Sequence, residues 1–451
     1  MENKEHGLKR HLKARHIRLM ALGSTIGVGL FLGSATAIQI AGPAILLAYL
    51  LAGMVAFVVL RTLGEMAVHE PVAGSFASYA SSYINPLAGY MVGWGYWTYW
   101  VVVAIAEVTA VGIYMGMWFP DIPQWIWALS SIILMGLINL IAVKVFGEFE
   151  FWFALIKIMA IVLMIALGCS VIFFGFTNDW VPMGLSNLWQ HGGFFPNGFS
   201  GFLLSLHMVL FAYVGIEMIG LSAGEAQNPK QTIPMAIDSL IWRILIFYLG
   251  ALMVILAIFP WNEVGQQGSP FVVMFERIGL REAAGLINFV VITAALSSCN
   301  AGIFSGGRLL YALAQNGYAP GPLAKLSQYG VPHRAVIVTV AVCMSGVVLN
   351  YFVPDKAFQY IMAAVTFVGL MVWIAILCTQ MQFRRSLSPA QIAGLGYRAP
   401  WWPYSSWFAL AFIFLVVVLM GMHEDARMAL ILGPCLLGMY LLMFYIVGLH
   451  R

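Results

Sequence analysis

Charge is what this sequence has least of. Only 9% of its 451 residues are Asp, Glu, Lys or Arg, where a soluble globular domain carries about 25%. So little charge cannot hydrate the surface of a protein of this size, which excludes a water-soluble fold. Cysteine is scarce too. Cys169, Cys299, Cys343, Cys378 and Cys435 all lie in apolar stretches without paired spacing, as small buried hydrophobes do, rather than disulfides or metal ligands. No Gly-x-x-x-x-Gly-Lys-[Ser/Thr] phosphate loop occurs, which argues against an ATP-driven pump. His207 and Cys299 have no partner at a spacing useful for catalysis, so neither an enzyme nor a metal or cofactor is expected. The net charge of +4 is not gathered into a phosphate-tracking stripe, so no nucleic-acid partner is expected.

Apolar residues are what remains. They make up 62% of the chain, and the mean hydropathy is +0.90. An all-α, polytopic integral membrane protein follows, with lipid as its surrounding partner. The opening segment "MENKEHGLKRHLKARHIR" is polar and basic, and the apolar run after it is too long for the core of a secretory signal.

A spanning helix needs about 20 apolar residues. Breaks at charged or Pro/Gly/Asn-rich punctuation give twelve candidate spans, at 17–41, 43–66, 86–117, 124–144, 150–175, 198–222, 236–260, 282–314, 334–353, 357–383, 404–422 and 428–449. With the tail 1–16 in the cytoplasm and the spans alternating, seventeen Lys and Arg fall inside and four outside. That bias predicts cytoplasmic termini.

Two spans carry glycines where a helix needs none. "GSTIGVGLF" (23–31) lies in the first span, and "FAYVGIEMIG" (211–220) in the sixth. Glycine costs about 1 kcal/mol against alanine inside a helix. The glycines either allow close helix packing or mark discontinuous helices. The second reading suits their five-span separation. It predicts a 5+5 inverted repeat, 17–175 against 198–383, with two extra helices at 404–449. Breaks facing each other near the midplane would offer N–H groups to a carboxylate and carbonyls to an ammonium.

The segments "RHIRLMALGSTIGVGLFLGSATAIQIAGPAILLAYL", "AVKVFGEFEFWFALIKI", "GIEMIGLSAGEAQNPKQTIPMAI" and "SGGRLLYALAQNGYAP" resemble the signatures of bacterial amino-acid permeases. They point to the amino-acid transporter family of the amino acid–polyamine–organocation superfamily, with its proline, histidine, threonine and aromatic permeases. The resemblance implies a location in the bacterial plasma (inner) membrane. It also implies that backbone N–H groups at Thr25, Ile26, Gly27, Val28 and Gly29 hold the substrate carboxylate. Carbonyls of Thr25, Phe211, Ala212 and Val214 would hold its ammonium. Phe211 matches an aromatic that closes over the substrate, and Tyr213 is a weaker candidate. Lys157, in the fifth span, matches a lysine that replaces the sodium ion of sodium-coupled relatives, near Ser297 and Ser298.

Ionisable residues inside spans are functional candidates by default. Lys157 either couples protons or snorkels to the inner headgroups. Glu107, midway along the third span, could carry a proton, contact substrate or serve as a structural group. Glu217, beside Gly215, could brace the sixth-helix break or take part in proton transfer. Ala104, Ser298 and Asn300 are candidate pocket-lining residues. Glu65, Glu148, Glu150 and Glu225 are placed at the cytoplasmic face, able to pair with basic residues and hold a gate. The loop 224–234 reads as a polar turn. The expected function is proton-coupled import of a neutral or weakly polar L-amino acid, with proline, histidine or threonine favoured. Exchange, or sensing without transport, are the alternatives. The oligomeric state is not legible.

Overall fold

An apolar chain in lipid must close its backbone hydrogen bonds within itself, and helices do so locally. The computed structural model describes residues 27–72, 75–141, 143–176, 179–221, 228–264, 269–277, 279–328 and 330–446, with no strand among them. The helices are α1 (Val28–Phe31), α2 (Gly33–Ala41), α3 (Ile45–His69), α4 (Ser75–Tyr83), α5 (Pro86–Gly116), α6 (Gln124–Ile141), α7 (Val143–Phe174), α8 (Asn187–Gln190), α9 (Gly198–Phe211), α10 (Met218–Leu221), α11 (Pro229–Arg243), α12 (Ala251–Ile258), α13 (Pro270–Arg277), α14 (Arg281–Gln315), α15 (His333–Phe352), α16 (Pro354–Ser386), α17 (Pro389–Ala393), α18 (Tyr404–Met422) and α19 (Glu424–Ile446). A π-helical segment, Ile244–Gly250, joins α11 to α12.

Ten helical stretches among the described residues are long and apolar enough to cross a membrane, by length and composition. One of them, Gly33–His69, contains a turn in which Gly42, at φ +60°, and Pro43 separate α2 from α3. The sixth apolar stretch is not among the ten, because α9 stops at Phe211 after 14 residues. The chain is therefore an all-helical polytopic membrane protein. Its connections hold short helices that hydropathy does not reveal, α4, α8 and α13. The loop expected at 224–234 needs correcting: the chain is helical from Pro229. Proline is tolerated at the first helical position, where its missing N–H costs nothing.

Local signals explain where the site-bearing helix starts. Asn85 caps α5, its side-chain oxygen accepting from the Ala88 N–H at 2.8 Å, with Pro86 at the first helical position. From there α5 runs through the middle of the bundle, packed along α14 and touching α16, α4, α6, α15 and α19. The sixth-span helix α9 lies against α2, α3, α16 and α18.

One end of the bundle is fastened by two linked charge clusters. Glu65, fully buried on α3, accepts from Arg384 Nε at 2.5 Å and Nη2 at 2.7 Å. It also accepts from Gln380 Nε2 at 3.2 Å and from the Ala399 N–H at 2.6 Å. About one helical turn earlier, Arg61 donates to Asp238 on α11 at 3.0 Å and to the Arg398 carbonyl at 2.6 Å. Its guanidinium lies 3.8 Å over the Tyr397 ring. Burial pushes the Tyr397 phenol well above its ordinary value, so it remains a neutral donor to Asp238, at 3.0 Å. Together these bonds tie α3, α11, α16 and the link 387–403. Of the four glutamates expected to pair with basic residues, Glu65 does so; Glu225 and the side chains of Glu148 and Glu150 lie outside what the structure describes.

Removing one partner of a buried ion pair costs roughly 3–5 kcal/mol, because the other charge is stranded. Glu65→Ala is therefore expected to lower the unfolding temperature of the detergent-purified protein, and Glu65→Gln to do so less. An unfolding curve that did not move for Glu65→Ala would contradict this account of the clusters.

Candidate functional site

The helical ladder fails where the glycines predict. Residues 212–217 are turns between α9 and α10. Gly215 takes φ +108°, a left-handed conformation that disfavours a side chain, and a Cβ there would lie 2.7 Å from the Tyr99 hydroxyl. Its N–H does not return to the Phe211 carbonyl but goes to Glu217 Oε2 at 3.0 Å. The same carboxyl oxygen accepts from Trp373 Nε1 on α16, also at 3.0 Å. Glu217 is fully buried, and its position is that of a brace across the break. Behind the break, Tyr248 donates to the Ala212 carbonyl at 2.9 Å and Tyr213 to the Tyr49 carbonyl at 2.8 Å.

In the first apolar stretch α1 begins at Val28, with Gly27 extended before it. Thr25 and Ile26 lie outside the described residues. The two interrupted segments meet: a Cβ on Gly29 would sit 2.8 Å from the Ala212 Cα, so nothing larger than glycine fits there. Beside them, a Cβ on Gly27 would lie 2.7 Å from Glu107 Oε1 and 3.3 Å from Ser298 Oγ. The Glu107 carboxyl thus stands against the backbone at the start of α1.

A small cavity opens at this junction. Gly27 and Gly29 form one edge, and Phe211, Ala212, Val214 and Gly215 the other. Helix α5 adds Tyr99, Trp100, Val103 and Glu107; α14 adds Ser298 and Ala301; α16 adds Val365. Glu107 is 5% exposed, and its Oε2 has no hydrogen-bond partner among the described residues; nor has Ser298 Oγ. Such atoms are uncommon in buried positions and call for an explanation. Phe211 sits edge-on to Phe358, with ring centroids 6.1 Å apart.

Three expected positions do not reach the cavity. Ala104 faces α14, where a Cβ on Gly302 would lie 3.2 Å from the Ala104 Cβ. Asn300 is turned to α6, where its Oδ1 accepts from Asn139 Nδ2 at 2.7 Å. Tyr213 is stacked on Tyr248, 5.0 Å between centroids, on the far side of the break. Lys157, on α7, is fully buried. Its Nζ donates to Ser297 Oγ at 3.4 Å, and it lies within electrostatic reach of Glu107. A snorkelling lysine keeps its ammonium in the headgroups; this one points into the bundle.

Tyr99, Trp100, Val103, Ala301 and Val365 are lining residues that sequence reasoning missed. A signal for some of them exists. Residues 100, 103 and 107 share a face of α5, and 301 lies one turn from 298.

The family model described as "Amino acid permease" matches residues 16–449. The chain belongs to the amino acid permease family. The permease is 53% identical over 451 residues to the uncharacterized amino acid permease YtnA of Bacillus subtilis, covering 100% of this chain and 97% of that one. It is 49% identical over 451 residues, with the same coverage, to the probable threonine/serine transporter YbxG of that organism. To the amino-acid permease AapA of Bacillus subtilis it is 44% identical over 428 residues, 95% of this chain and 92% of that one. The permease is thus a transporter rather than an enzyme, and an amino acid is its substrate class.

Two substitutions test the junction. Gly27→Leu fills the notch beside Glu107 and is expected to abolish amino-acid binding while the protein still inserts, as read by calorimetric titration of the purified permease. Unchanged affinity would remove the notch from the site. Glu217→Ala leaves the Gly215 N–H and the Trp373 N–H unpaired, each at about 1–3 kcal/mol. Its unfolding temperature is expected to fall further than that of Glu217→Gln, which keeps an acceptor.

Proposed function

We propose that the permease imports threonine or serine together with a proton, by alternating access. The observation that carries this reading is the cavity at the meeting point of two interrupted segments, with a buried carboxyl, Glu107, on its wall. Main-chain groups released at the breaks suit a zwitterion. The amides of residues 25–29 would take its carboxylate, and the carbonyls of Thr25, Phe211, Ala212 and Val214 its ammonium. The Phe211 carbonyl, which has lost the Gly215 N–H of a continuing helix, is well suited to the second task. Phe211 would close over the bound substrate.

The name of the relative YbxG supports a hydroxylated substrate. The small size of the cavity favours a small side chain over histidine. For coupling, Glu107 and Lys157 are the two buried ionisable groups that lie near each other and near the breaks. A proton arriving there alters the charge balance beside the substrate. The fold expected with this mechanism has twelve spans, a 5+5 inverted repeat in 17–175 and 198–383, and the additional pair in 404–449. Both termini would be cytoplasmic, in the plasma membrane of a bacterium. The Glu65–Arg384 cluster would then lie at the cytoplasmic end, where it holds the inner gate.

Uptake into proteoliposomes with an inwardly directed proton gradient and no sodium tests the reading. Threonine is expected to accumulate above its outside concentration. Lys157→Ala is expected to lose that accumulation while still exchanging labelled for unlabelled threonine. Accumulation that required sodium, or that survived in Lys157→Ala, would refute the coupling assignment. Exchange without net accumulation in the wild type would make the protein an exchanger.

A further inference from the structure

The cavity wall is chemically lopsided. Val103, Ala301, Val214 and Val365 present hydrocarbon. Beside the Gly27 notch stand two buried polar atoms without partners among the described residues, Glu107 Oε2 and Ser298 Oγ. Each side chain is at least nine-tenths buried, both at 5% exposure. The other carboxyl oxygen, Oε1, faces the notch itself. Leaving a polar atom buried and unpaired is costly, and here two side chains on different helices, α5 and α14, each bring such an atom to the lining of one cavity.

We propose that Glu107 and Ser298 form the side-chain subsite of the permease and select a hydroxyl on the β-carbon of the substrate. This rests on the reading above that the substrate is an amino acid held at the breaks. A β-hydroxyl lies only one bond beyond the β-carbon, so the groups that recognise it must stand next to those that hold the substrate backbone. Glu107 and Ser298 stand there, around Gly27. A hydroxyl has one proton to donate and two lone pairs to receive with. It donates to Glu107 Oε2 and accepts from Ser298 Oγ, pairing both orphaned atoms at once. The hydrocarbon wall takes the methyl group of threonine. Valine has the shape of threonine but brings a methyl where the hydroxyl belongs, and leaves both atoms unpaired. A hydrogen-bonding site rejects an analogue that lacks the group far more strongly than an apolar site rejects an added one.

The test uses the purified full-length permease, titrated separately with L-threonine, L-serine, L-alanine and L-valine. Apparent affinity is read from the ligand-dependent rise in unfolding temperature. Threonine is expected to bind at least about tenfold more tightly than valine, and serine more tightly than alanine by a similar factor. In Ser298→Ala the threonine-to-valine ratio is expected to fall about tenfold, and Ser298→Thr, which keeps the hydroxyl, is expected to restore it. The ratio is taken within each variant, so a lower folded yield cancels. Ser298→Cys, with a poor hydrogen-bonding group of similar size, gives the same reading if Ser298→Ala fails to insert. Equal affinities for threonine and valine in the wild type, or a ratio unmoved in Ser298→Ala, overturn the subsite while leaving an amino-acid carrier in place. No stabilisation by any of the four amino acids overturns the threonine/serine reading, and the subsite with it.

Discussion

A helix broken in the middle of a membrane has no water to turn to, and the arrangement of this protein around its cavity follows from that constraint. Several freed main-chain groups at the junction are met by side chains. The Gly215 N–H goes to Glu217 and the Ala212 carbonyl to Tyr248. The Phe31 carbonyl, at the irregular step before α2, accepts from Ser269 at 2.7 Å. These partners come from the π-helical segment and the short α13 region as well as from the broken helix itself. The shape of the junction therefore depends on helices that contribute little to its lining, and a shift in any of them changes which backbone groups are free.

Three buried carboxyls show how environment separates roles among identical side chains. Glu65 accepts from four donors, two of them on one guanidinium; both of its oxygens are engaged, and its work is to hold helices together. Glu217 has one oxygen taken by two donors and the other without a partner among the described residues. It spans a break two residues away and has little freedom to leave. Glu107 keeps an oxygen with no partner among the described residues and borders a cavity. Of the three, only its arrangement is one that a small polar ligand would complete. The same residue type thus serves as clamp, brace and candidate contact, distinguished by the number of its donors.

How much of this was legible in the sequence depends on the kind of signal. Long apolar runs and the scarcity of charge give the helical membrane architecture directly. Gly27, Gly29 and Gly215 mark the irregular backbone among the described residues, because backbone without a side chain is needed where segments approach as closely as Gly29 and Ala212. Which face of a helix looks inward is much harder to read. Lipid and protein interior are both apolar, so a spanning helix need not carry the polar stripe that orients a helix in water. Ala104 and Asn300 were placed in the cavity by proximity to Glu107 and Ser298, and the helical phase turns both away. Tyr99 and Trp100 escaped for the converse reason: an aromatic in an apolar helix looks like packing until its neighbours are known. Asn300 is instructive, since its polarity is spent on Asn139 between helices rather than on a ligand.

The contact between Gly29 and Ala212 has a consequence for motion. Because the two interrupted segments touch there through backbone and a methyl, they leave no room to slide past each other and are suited to move as one body. Glu107 and Ser298 belong to α5 and α14, which pack along each other and can form the opposing body. In the proposed cycle the substrate backbone is held by the first body, and its side chain reaches the second. An amino acid bound between them changes the relative energies of the two arrangements only through contacts that differ between those arrangements. Glu107 Oε1 would lie 2.7 Å from a Cβ on Gly27, so its carboxyl is the polar group of the second body that stands against the first at the notch, where an incoming substrate meets it. Coupling of substrate to movement then requires no distant relay: the group that meets the substrate already stands where the two bodies touch.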